Sequence, residues 1–331
     1  MTAMGQDALS GNGLPAEFGF IARIFRPLAG DGALDLRDDA AVFMPPAGRE
    51  LVIAADAMVE GVHFLSDDPS DTVGRKLLRC NLSDLAAMDA TPLGYLMTVS
   101  MPPARDEAWF AGFASGLVRD QEQFGITLLG GDTTSTSGPL VLSLTVLGHV
   151  APGRALRRST ARVDDGIWVT GTIGDGAMGL LARRGQVPDP DGFLAGRYQL
   201  PRPRLGLDLG DVASAGMDVS DGLLQDLGHM ARESGVGIVI HADQVPLSPA
   251  VRALGPQWLS TCLSGGDDYE LLLAVPPMNE AGLQAHAARA GVAVTRIGQV
   301  VAGNDVQVCD AAGHVMAFAR RGWSHVREAG G

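Results

Sequence analysis

The sequence has few of the features that mark secreted, membrane-spanning or nucleic-acid-binding proteins. Its three cysteines, Cys80, Cys262 and Cys309, are far apart and show no CxxC spacing, which argues against a disulfide framework or structural zinc and favours a reducing cytoplasm. No apolar run reaches the roughly 18 residues of a membrane span, and no charged start leads into a signal-peptide core. The formal charge of −13, without a Lys/Arg-rich run, argues against nucleic-acid and anionic-membrane partners.

Length and composition indicate a globular protein of two domains. The chain has 331 residues, of which 46% are hydrophobic and 19% are charged. Typical domain sizes then predict two domains of roughly 150 residues each. Residues 1–14 are polar and aperiodic, which predicts a mobile tail. We place the boundary in the turn-rich segment near residue 150, giving domains 15–150 and 151–331.

The hydrophobic pattern mixes helices and strands without a strict alternation. The predicted helices are Glu17–Phe25, Asp71–Met88, Arg105–Gln123, a helix capped by Ser220 that ends at Gly235, and Asn279–Ala290. The predicted strands are Glu50–Ala55, Gly94–Met101, Ile126–Leu129, Pro139–Val150, Gly166–Thr170, Val236–His241 and Tyr269–Val275. This order predicts two α+β domains rather than a doubly wound parallel sheet.

Six short Asp-bearing segments, most of them rich in glycine, lie scattered over almost the whole chain. They are RDDAAV at Arg37–Val42, AADAMVEGVHF at Ala54–Phe64, NLSDLAAM at Asn81–Met88, LLGGDTT at Leu128–Thr134, MDVSDGL at Met217–Leu223 and SGGDDYE at Ser264–Glu270. Few have a Lys or Arg close in sequence. Carboxylates that gather without local cations need a cation from elsewhere, and hard divalent metals commonly supply it. The segments therefore indicate metal-assisted phosphate chemistry.

Asp84 lies on a predicted helix where no neighbour three or four positions away is a cation. The same face of the helix carries Leu77, Asn81 and Leu85, so the carboxylate lies on a largely apolar face. Burying an unpaired carboxylate is costly. Asp84 is accordingly either a metal ligand, a partner of a distant Arg, or a cap on another helix.

The glycine-rich segments allow both a functional and a purely structural interpretation. The two glycines before Asp132 either expose backbone N–H groups to a phosphate or make a plain strand-exit turn. Ser220 and Asp221 suit a helix cap, and the same helix start suits a phosphate. Asp56, Asp132 and Asp218 are predicted to follow strand ends, where carboxylates converge in one crevice.

Two further segments stay open on spacing alone. His63 is more often a structural than a catalytic type of residue at such a position. In RALRRS, Arg157 or Arg158 either holds a nucleotide phosphate or lies on a solvated face. The segment GTIGDGAMG at Gly171–Gly179 is equally typical of a strand-to-helix turn and receives no functional weight.

Taken in order, the motifs resemble the thiamine-monophosphate kinase family, within the superfamily that includes aminoimidazole ribonucleotide synthetase. The resemblance runs from about Glu17 to His325. It rests on EFGFIARIF, DDAAV, DAMVEGVHF, NLSDLAAM, GGDTT, GRALRRS, DVSDGL, SGGDDYEL and GWSH. Each motif alone is weak, whereas their ordered combination is highly specific.

The resemblance implies a homodimer of two α+β domains with a nucleotide site between them. It implies transfer of the ATP γ-phosphoryl group to thiamine monophosphate with several Mg²⁺ ions. The residues that match the family's metal-binding acids are Asp39, Asp56, Asp84, Asp132, Asp218 and Asp221. Those that match nucleotide contacts are Gly131, Arg158 and Ser220, and those around thiamine phosphate are His63, Asp267 and Trp323.

The chain departs from the family pattern at a few positions. Asp35-Leu36-Arg37 stands where Gly-x-Gly is usual, Ala54 and Ala55 replace Ser and Thr, and Asp267 replaces Glu. Loss of two hydroxyls affects the number and affinity of metals more than the reaction. The alternatives are another ATP-using enzyme of the superfamily, of the aminoimidazole ribonucleotide or selenophosphate synthetase type, or a non-enzymatic Asp-rich Ca²⁺-binding protein.

Overall fold

The structure is a computed structural model that describes residues 16–324. The tail expected at residues 1–14 and the His325 of the last motif lie outside the described residues. Within residues 16–324, no helix is both long and apolar enough to cross a membrane. Cys80, Cys262 and Cys309 are buried and form no disulfide with one another.

The first half of the chain supplies three helices and four strands to the described structure. They are α1 (Ala16–Ile24), β1 (Glu50–Val59), α2 (Ser70–Ala87), β2 (Thr91–Met101), α3 (Glu107–Phe124), β3 (Thr127–Ser135) and β4 (Val141–Val150). The four strands form a sheet in the order β1-β4-β2-β3, with β2 and β3 parallel. The predicted helices and strands of this half are confirmed to within a few residues, except that β3 continues to Ser135 rather than ending at Leu129.

Alternation along β4 determines which side chains of the sheet face the core. Leu142, Leu144 and Val146 are fully buried, so Ser143 and Thr145 point to the opposite face. Helix α3 begins where the Asp106 carboxylate accepts a hydrogen bond from the Trp109 N–H, and it ends at Gly125 in the left-handed conformation.

The second half supplies six further helices and six strands among the described residues. They are β5 (Gly166–Thr170), α4 (Asp175–Arg183), α5 (Phe193–Gln199), β6 (Ala215–Asp218), α6 (Leu223–Ser234), β7 (Gly237–His241), α7 (Pro249–Leu254), α8 (Leu259–Ser264), β8 (Leu271–Val275), α9 (Glu280–Ala290), β9 (Val294–Val301) and β10 (Val306–Cys309). The sheet order is β10-β7-β9-β5-β8-β6, in which only the β10–β7 pair is parallel among the described strands. Strands β5 and β8 are buried along their whole length and form the centre of this core. The mixed sheets with packed helices confirm the predicted α+β class.

The chain forms two compact units, each made of more than one segment. Among the described residues, the first comprises residues 16–47, 53–81 and 92–147, and the second comprises residues 48–52, 82–91 and 148–324. The helix that carries Asp84 therefore contributes its last turns to the second unit. A domain boundary near residue 150 stays a prediction.

Two expectations about local structure are wrong. Asp56 and Asp132 lie inside β1 and β3 rather than past their ends, because both strands continue beyond their hydrophobic part. Ser220 does not cap α6. The N-cap is Gly222, two residues later, and no side chain of that residue satisfies the helix N–H groups. The end of α6 at Gly235 is confirmed, with φ 66°.

Candidate active site

The first unit contains a cavity of about 780 Å³ on the face of its sheet. Three carboxylates line it, from Asp38, Asp39 and Asp132, together with the Ser143 and Thr145 side chains of β4. Its size lies within the usual range for small-molecule sites. The acidic wall lacks a cation among its described lining residues, so a polyanion would enter only with metal ions.

Gly131 and Asp132 lie where β3 runs close beside β2. Asp132 is opposite Thr98 in the parallel pair, and its side chain is exposed. A Cβ at position 131 would lie 1.8 Å from the Met97 carbonyl oxygen, so only glycine fits this close approach. The glycine thus serves strand packing as well as any ligand contact.

Asp56 is exposed on β1, and its backbone is held from both sides. Its N–H donates to the buried Asn81 side-chain oxygen at 3.1 Å, and its carbonyl accepts from the Ser143 hydroxyl at 3.4 Å. Asn81 in turn donates to the Leu77 carbonyl at 2.9 Å. The α2 stripe that contains Asn81 therefore fixes β1 at Asp56.

His63 lies in the turn after β1 with its ring orientation set by the backbone. Nδ1 accepts the Val59 N–H at 2.9 Å, so the neutral ring carries its proton on Nε2. The His63 carbonyl accepts from the Lys76 ammonium at 3.0 Å. The ring is accordingly suited to donating a hydrogen bond through Nε2.

In the second unit, Asp218 and Asp84 are close through a shared neighbour. Asp218 is the last residue of β6 and is buried, and its carboxylate accepts from the Ser83 hydroxyl at 2.8 Å. Asp84 follows Ser83 on α2 and is half-buried. Two of the predicted metal ligands thus belong to one region of this unit.

The start of α6 is held by Asp226 rather than by Ser220. The Asp226 carboxylate accepts the N–H groups of Asp221 at 3.2 Å and Gly222 at 3.1 Å. Gly222 has φ 120°, and a Cβ there would lie 2.9 Å from the backbone of Ser264. Glycine at 222 is therefore required by both conformation and space.

A group of potential metal ligands lies at this helix start. One ligand atom each from Asp221, Asp226 and His229 lies within 4.8 Å of the others. Burial raises the pKa of Asp226 well above its usual range, and the nearby charges of Asp218 and Asp221 raise it further. Clustered carboxylate oxygens fit a hard divalent cation such as Mg²⁺, which would relieve this mutual repulsion.

Arg158 lies close enough to His229 to affect the pKa of its ring. The pKa of His229 is lowered first by burial and then by the charges of Arg232 and Arg158. The Arg158 carbonyl accepts from the Ser234 hydroxyl at 2.9 Å, which ties the segment to the end of α6. An exposed guanidinium beside acidic loops is suited to a phosphate group.

The segment 265–270 lies against the loop that contains Ser220. The Asp267 N–H donates to the Ser220 carbonyl at 2.9 Å. Asp267 and Tyr269 have φ values of 71° and 51°, and both are half-buried. The Tyr269 hydroxyl is 3.4 Å from the Asp267 carboxylate. The predicted substrate residue Asp267 is therefore adjacent to the predicted nucleotide contact Ser220.

The alternate residues of the same segment point into the protein interior. Asp268 accepts the N–H groups of Gly174 at 2.7 Å and Gly176 at 3.0 Å, at the start of α4. Glu270 accepts two bonds of 2.6 Å from Arg204 and one of 2.9 Å from Arg197. A protein carboxylate thus fills the GTIGDGAMG turn, which leaves no N–H pair there for a phosphate.

Trp323 joins the same loop through its backbone. Its N–H donates to the Asp221 carbonyl at 3.0 Å, and its side chain is 53% exposed. The Gln225 side-chain amide donates to both the Asp221 carboxylate and the Trp323 carbonyl. The last described residues of the chain therefore lie beside a predicted metal ligand.

The structure distributes the predicted site residues over both units. Asp39, Asp56, His63, Gly131 and Asp132 belong to the first. The second holds Asp84, Arg158, Asp218, Ser220, Asp221, Asp267 and Trp323.

Sequence reasoning missed Gln225, Asp226 and His229, which follow Asp221 at helical spacings and present polar atoms to it. The pattern Asp-x₃-Gln-Asp-x₂-His was the available signal.

Comparison with known proteins places the chain in a family. The N-terminal domain model of AIR synthase related proteins matches residues 37–150, and the C-terminal domain model matches residues 162–310. The thiamine-monophosphate kinase of Caulobacter vibrioides is 47% identical over 94% of this chain and 91% of its own length. That of Escherichia coli K12 is 42% identical over 86% of this chain and 90% of its own length.

Solved structures agree with these relatives. Thiamine-monophosphate kinase from Stenotrophomonas maltophilia has a TM-score of 0.80 at 41% identity, covering 88% of this chain and 96% of that one. AaThiL complexed with AMPPCP and TMP has a TM-score of 0.75 at 29% identity, covering 94% and 97%. The chain belongs to the thiamine-monophosphate kinase family, built on the two AIR synthase related domains.

Proposed function

We propose that this protein transfers the γ-phosphoryl group of ATP to thiamine monophosphate and so forms thiamine diphosphate. The observation that carries the proposal is identity of 47% over nearly the whole chain to a thiamine-monophosphate kinase. The similar AaThiL structure holds AMPPCP and TMP together. AMPPCP is an ATP analogue whose terminal bridge resists cleavage, so that complex matches the substrates proposed here.

The acceptor in this reaction is a phosphate oxygen rather than an alcohol. A phosphate monoester has its second pKa near 6, so it is largely ionised at neutral pH. A strong general base is therefore unnecessary, and the difficulty is electrostatic. Two unit charges about 4 Å apart repel by roughly 4 kcal/mol at an effective dielectric of 20. The acidic loops of this chain would add to that repulsion unless cations occupied them.

The six aspartates would hold Mg²⁺ ions, which neutralise charge on the donor and acceptor phosphates when bound. The donor set supports this role, since carboxylates cluster at Asp218, Asp221 and Asp226 in the second unit and around Asp39 and Asp132 in the first. Ala54 and Ala55 contribute backbone carbonyls only. We infer that this chain binds its metals with fewer hydroxyl ligands than the family pattern provides.

The remaining site residues bind and orient the two substrates in this proposal. Gly131, Arg158 and Ser220 contact ATP, with the Arg158 guanidinium on a phosphate oxygen. His63 donates its Nε2 proton to the acceptor phosphate, which agrees with the tautomer fixed by Val59. Trp323 stacks on a thiamine ring. In this proposal the phosphoryl group passes directly from ATP to the acceptor phosphate, without a phosphoenzyme.

A homodimer in the cytoplasm completes the proposal. Apolar side chains are exposed on β1 of the first sheet, namely Leu51 and Ile53, with Ile53 60% exposed. Such a patch on a sheet face is typical of a protein interface. Sedimentation of the wild-type protein should give about twice the mass of one chain. The mass measured for Ile53→Glu should be closer to that of a single chain. A monomeric wild type would contradict the dimer. The three buried cysteines form no disulfide with one another, which suits a reducing compartment.

A coupled assay of ADP release tests the proposed activity. Purified protein with ATP and Mg²⁺ should release ADP when thiamine monophosphate is added. Selenide and formylglycinamidine ribonucleotide serve as competing substrates for the two alternative synthetase types, and thiamine tests whether the acceptor must carry a phosphate. ADP release with one of these, and none with thiamine monophosphate, would assign another reaction.

A further inference from the structure

The Gln225 side chain joins two groups that the proposed function assigns to different tasks. Its Nε2 atom donates to the Asp221 carboxylate at 2.9 Å and to the Trp323 carbonyl at 2.7 Å. A third bond runs from the Trp323 N–H to the Asp221 carbonyl at 3.0 Å. Asp221 is the proposed metal ligand at the start of α6, and Trp323 is the proposed thiamine contact.

The chemistry of these partners requires a primary amide at position 225. Both are acceptors, an ionised carboxylate oxygen and a backbone carbonyl oxygen, and an amide nitrogen offers two N–H donors. A glutamate of the same shape has no donor when ionised. It would place a second negative charge beside Asp221.

Packing holds the amide in this position. A Cβ added at Gly322 would lie 2.4 Å from the Gln225 Cβ, so the chain before Trp323 runs directly against the Gln225 stem. Gln225 therefore restrains the backbone at residues 322 and 323 by contact as well as by hydrogen bonding. The Trp323 side chain itself is 53% exposed, and the restraint acts on its backbone.

We infer that Gln225 is a positioning residue that sets the Trp323 ring for thiamine monophosphate by tying its backbone to the Asp221 loop. This inference rests on the proposed function. It predicts that the acceptor substrate, and not ATP, loses affinity when the tie is cut. Asp221 keeps its carboxylate in such a variant, so metal ligation and phosphoryl transfer remain.

Steady-state kinetics of Gln225→Ala and Gln225→Glu test the role. Loss of a hydrogen-bonded tie corresponds to roughly a five- to tenfold change in binding. We expect that rise in KM for thiamine monophosphate with Gln225→Ala, while kcat and KM for ATP of this variant stay within about twofold. Gln225→Glu should raise KM for thiamine monophosphate further. Gln257→Ala is the matched control, because the Gln257 amide donates to the Leu254 carbonyl in a different part of the unit.

A double-variant cycle separates positioning from a general loss of stability. Trp323→Ala should itself raise KM for thiamine monophosphate. Adding Gln225→Ala to it should raise KM by less than about twofold more, because the ring that Gln225 positions is gone. Independent, multiplying effects would overturn the inference, as would an unchanged KM for thiamine monophosphate in both Gln225 variants.

Hydrogen exchange in the protein without substrates tests, independently of activity, whether Gln225 restrains the backbone at Trp323. Peptides covering residues 319–324 should exchange at least about tenfold faster in Gln225→Ala than in wild type or Gln257→Ala, because the Trp323 amide loses its support. Unchanged exchange would overturn the tie. Failure of the proposed function would instead appear as a wild type that releases no ADP with thiamine monophosphate.

Discussion

Backbone conformation at single residues decides which carboxylates reach the candidate site. Asp267 and Tyr269 adopt positive φ, and the alternation along this segment buries Asp268 and Glu270 while leaving Asp267 beside Ser220. The sequence motif names four polar residues in a row but not which of them face outward. That assignment depends on the positions of Gly174 and Gly176, which bind Asp268 from a distant part of the chain.

The helical neighbours of Asp84 leave its role open, and the family resemblance implies that it is a metal ligand. The structure places it next to Ser83, whose hydroxyl donates to Asp218. Asp84→Asn should lower kcat by at least about 100-fold, at the upper end of the range for groups that support metal sites. Thermal unfolding without metal should change by only a few degrees, since the half-buried side chain keeps its shape. Asp191→Asn, at an exposed loop position, is the control. Activity near that of wild type would remove Asp84 from the metal site.

Asp35-Leu36-Arg37 stands where the family usually has Gly-x-Gly, and the backbone at this turn adopts a conformation that favours glycine. Leu34, Asp35 and Leu36 all have positive φ, at 51°, 56° and 53°. Left-handed conformation costs a residue with a Cβ roughly 1–2 kcal/mol. The chain therefore keeps strain at a turn that leads directly to the proposed ligand Asp39.

Substitution of the exposed Leu34 measures this strain. Leu34→Gly should be more stable than Leu34→Ala by about 1 kcal/mol in urea unfolding, because both lose the same side chain and only glycine accepts the conformation freely. Equal stability of the two variants would show that the turn is unstrained.

At the scale of elements, two buried carboxylates organise two helix starts. Asp226 accepts N–H groups at the beginning of α6, and Asp268 does so at the beginning of α4. These contacts were not predictable from local sequence in the case of Asp268, since the bonded residues are about ninety positions apart. Asp226 lies within one turn of its partners, and its capping role was within reach of sequence reasoning.

Asp268 gives a pH-dependent prediction. Burial raises its pKa well above the ordinary value. The folded state therefore retains a proton that the unfolded state loses near pH 4, so this stabilising contribution is present below about pH 4 and is lost as pH rises through the folded pKa. Asn cannot accept from both glycine N–H groups, so Asp268→Asn should lose about 1–3 kcal/mol.

The pH dependence separates the carboxyl's titration from its hydrogen bonds. Urea unfolding at pH 5 and pH 7.5 should show the gap between wild type and Asp268→Asn becoming smaller at the higher pH, because only wild type carries the titrating group. A gap that is constant or widens would show that the Asp268 pKa is not raised.

Strands were harder to predict than helices for identifiable reasons. Strands β9 and β10 are not predicted, and β6 is predicted only as a strand end before Asp218. Strands β6 and β10 have only four residues, Ala215–Asp218 and Val306–Cys309. Strand β3 was ended too early at Leu129. Its polar continuation through Asp132 is paired with β2, a long-range contact that local hydrophobicity does not report.

At the scale of the whole molecule, the fold class and the family can be predicted from the order of the motifs. Which motif residues belong to which compact unit cannot be predicted in this way. Two short segments, residues 48–52 and 82–91, lie between segments of the first unit in sequence but belong to the second unit. Asp84 is therefore in the same unit as Asp218 and not in that of Asp56. Nothing in the local sequence indicates that these two segments belong to the second unit. The net charge of −13 has a chemical consequence at this scale, because the proposed anionic substrates meet an acidic protein, and the site proposed for them depends on cations.

The central claim is direct, metal-dependent phosphoryl transfer from ATP to thiamine monophosphate. The most direct test follows the label from [γ-³²P]ATP in a rapid-quench experiment with the wild-type protein and Mg²⁺. We predict one labelled terminal phosphate of thiamine diphosphate per ADP formed, no labelled protein at any time, and loss of the reaction with EDTA. Label that appears first on the protein, or only in inorganic phosphate, would contradict this account.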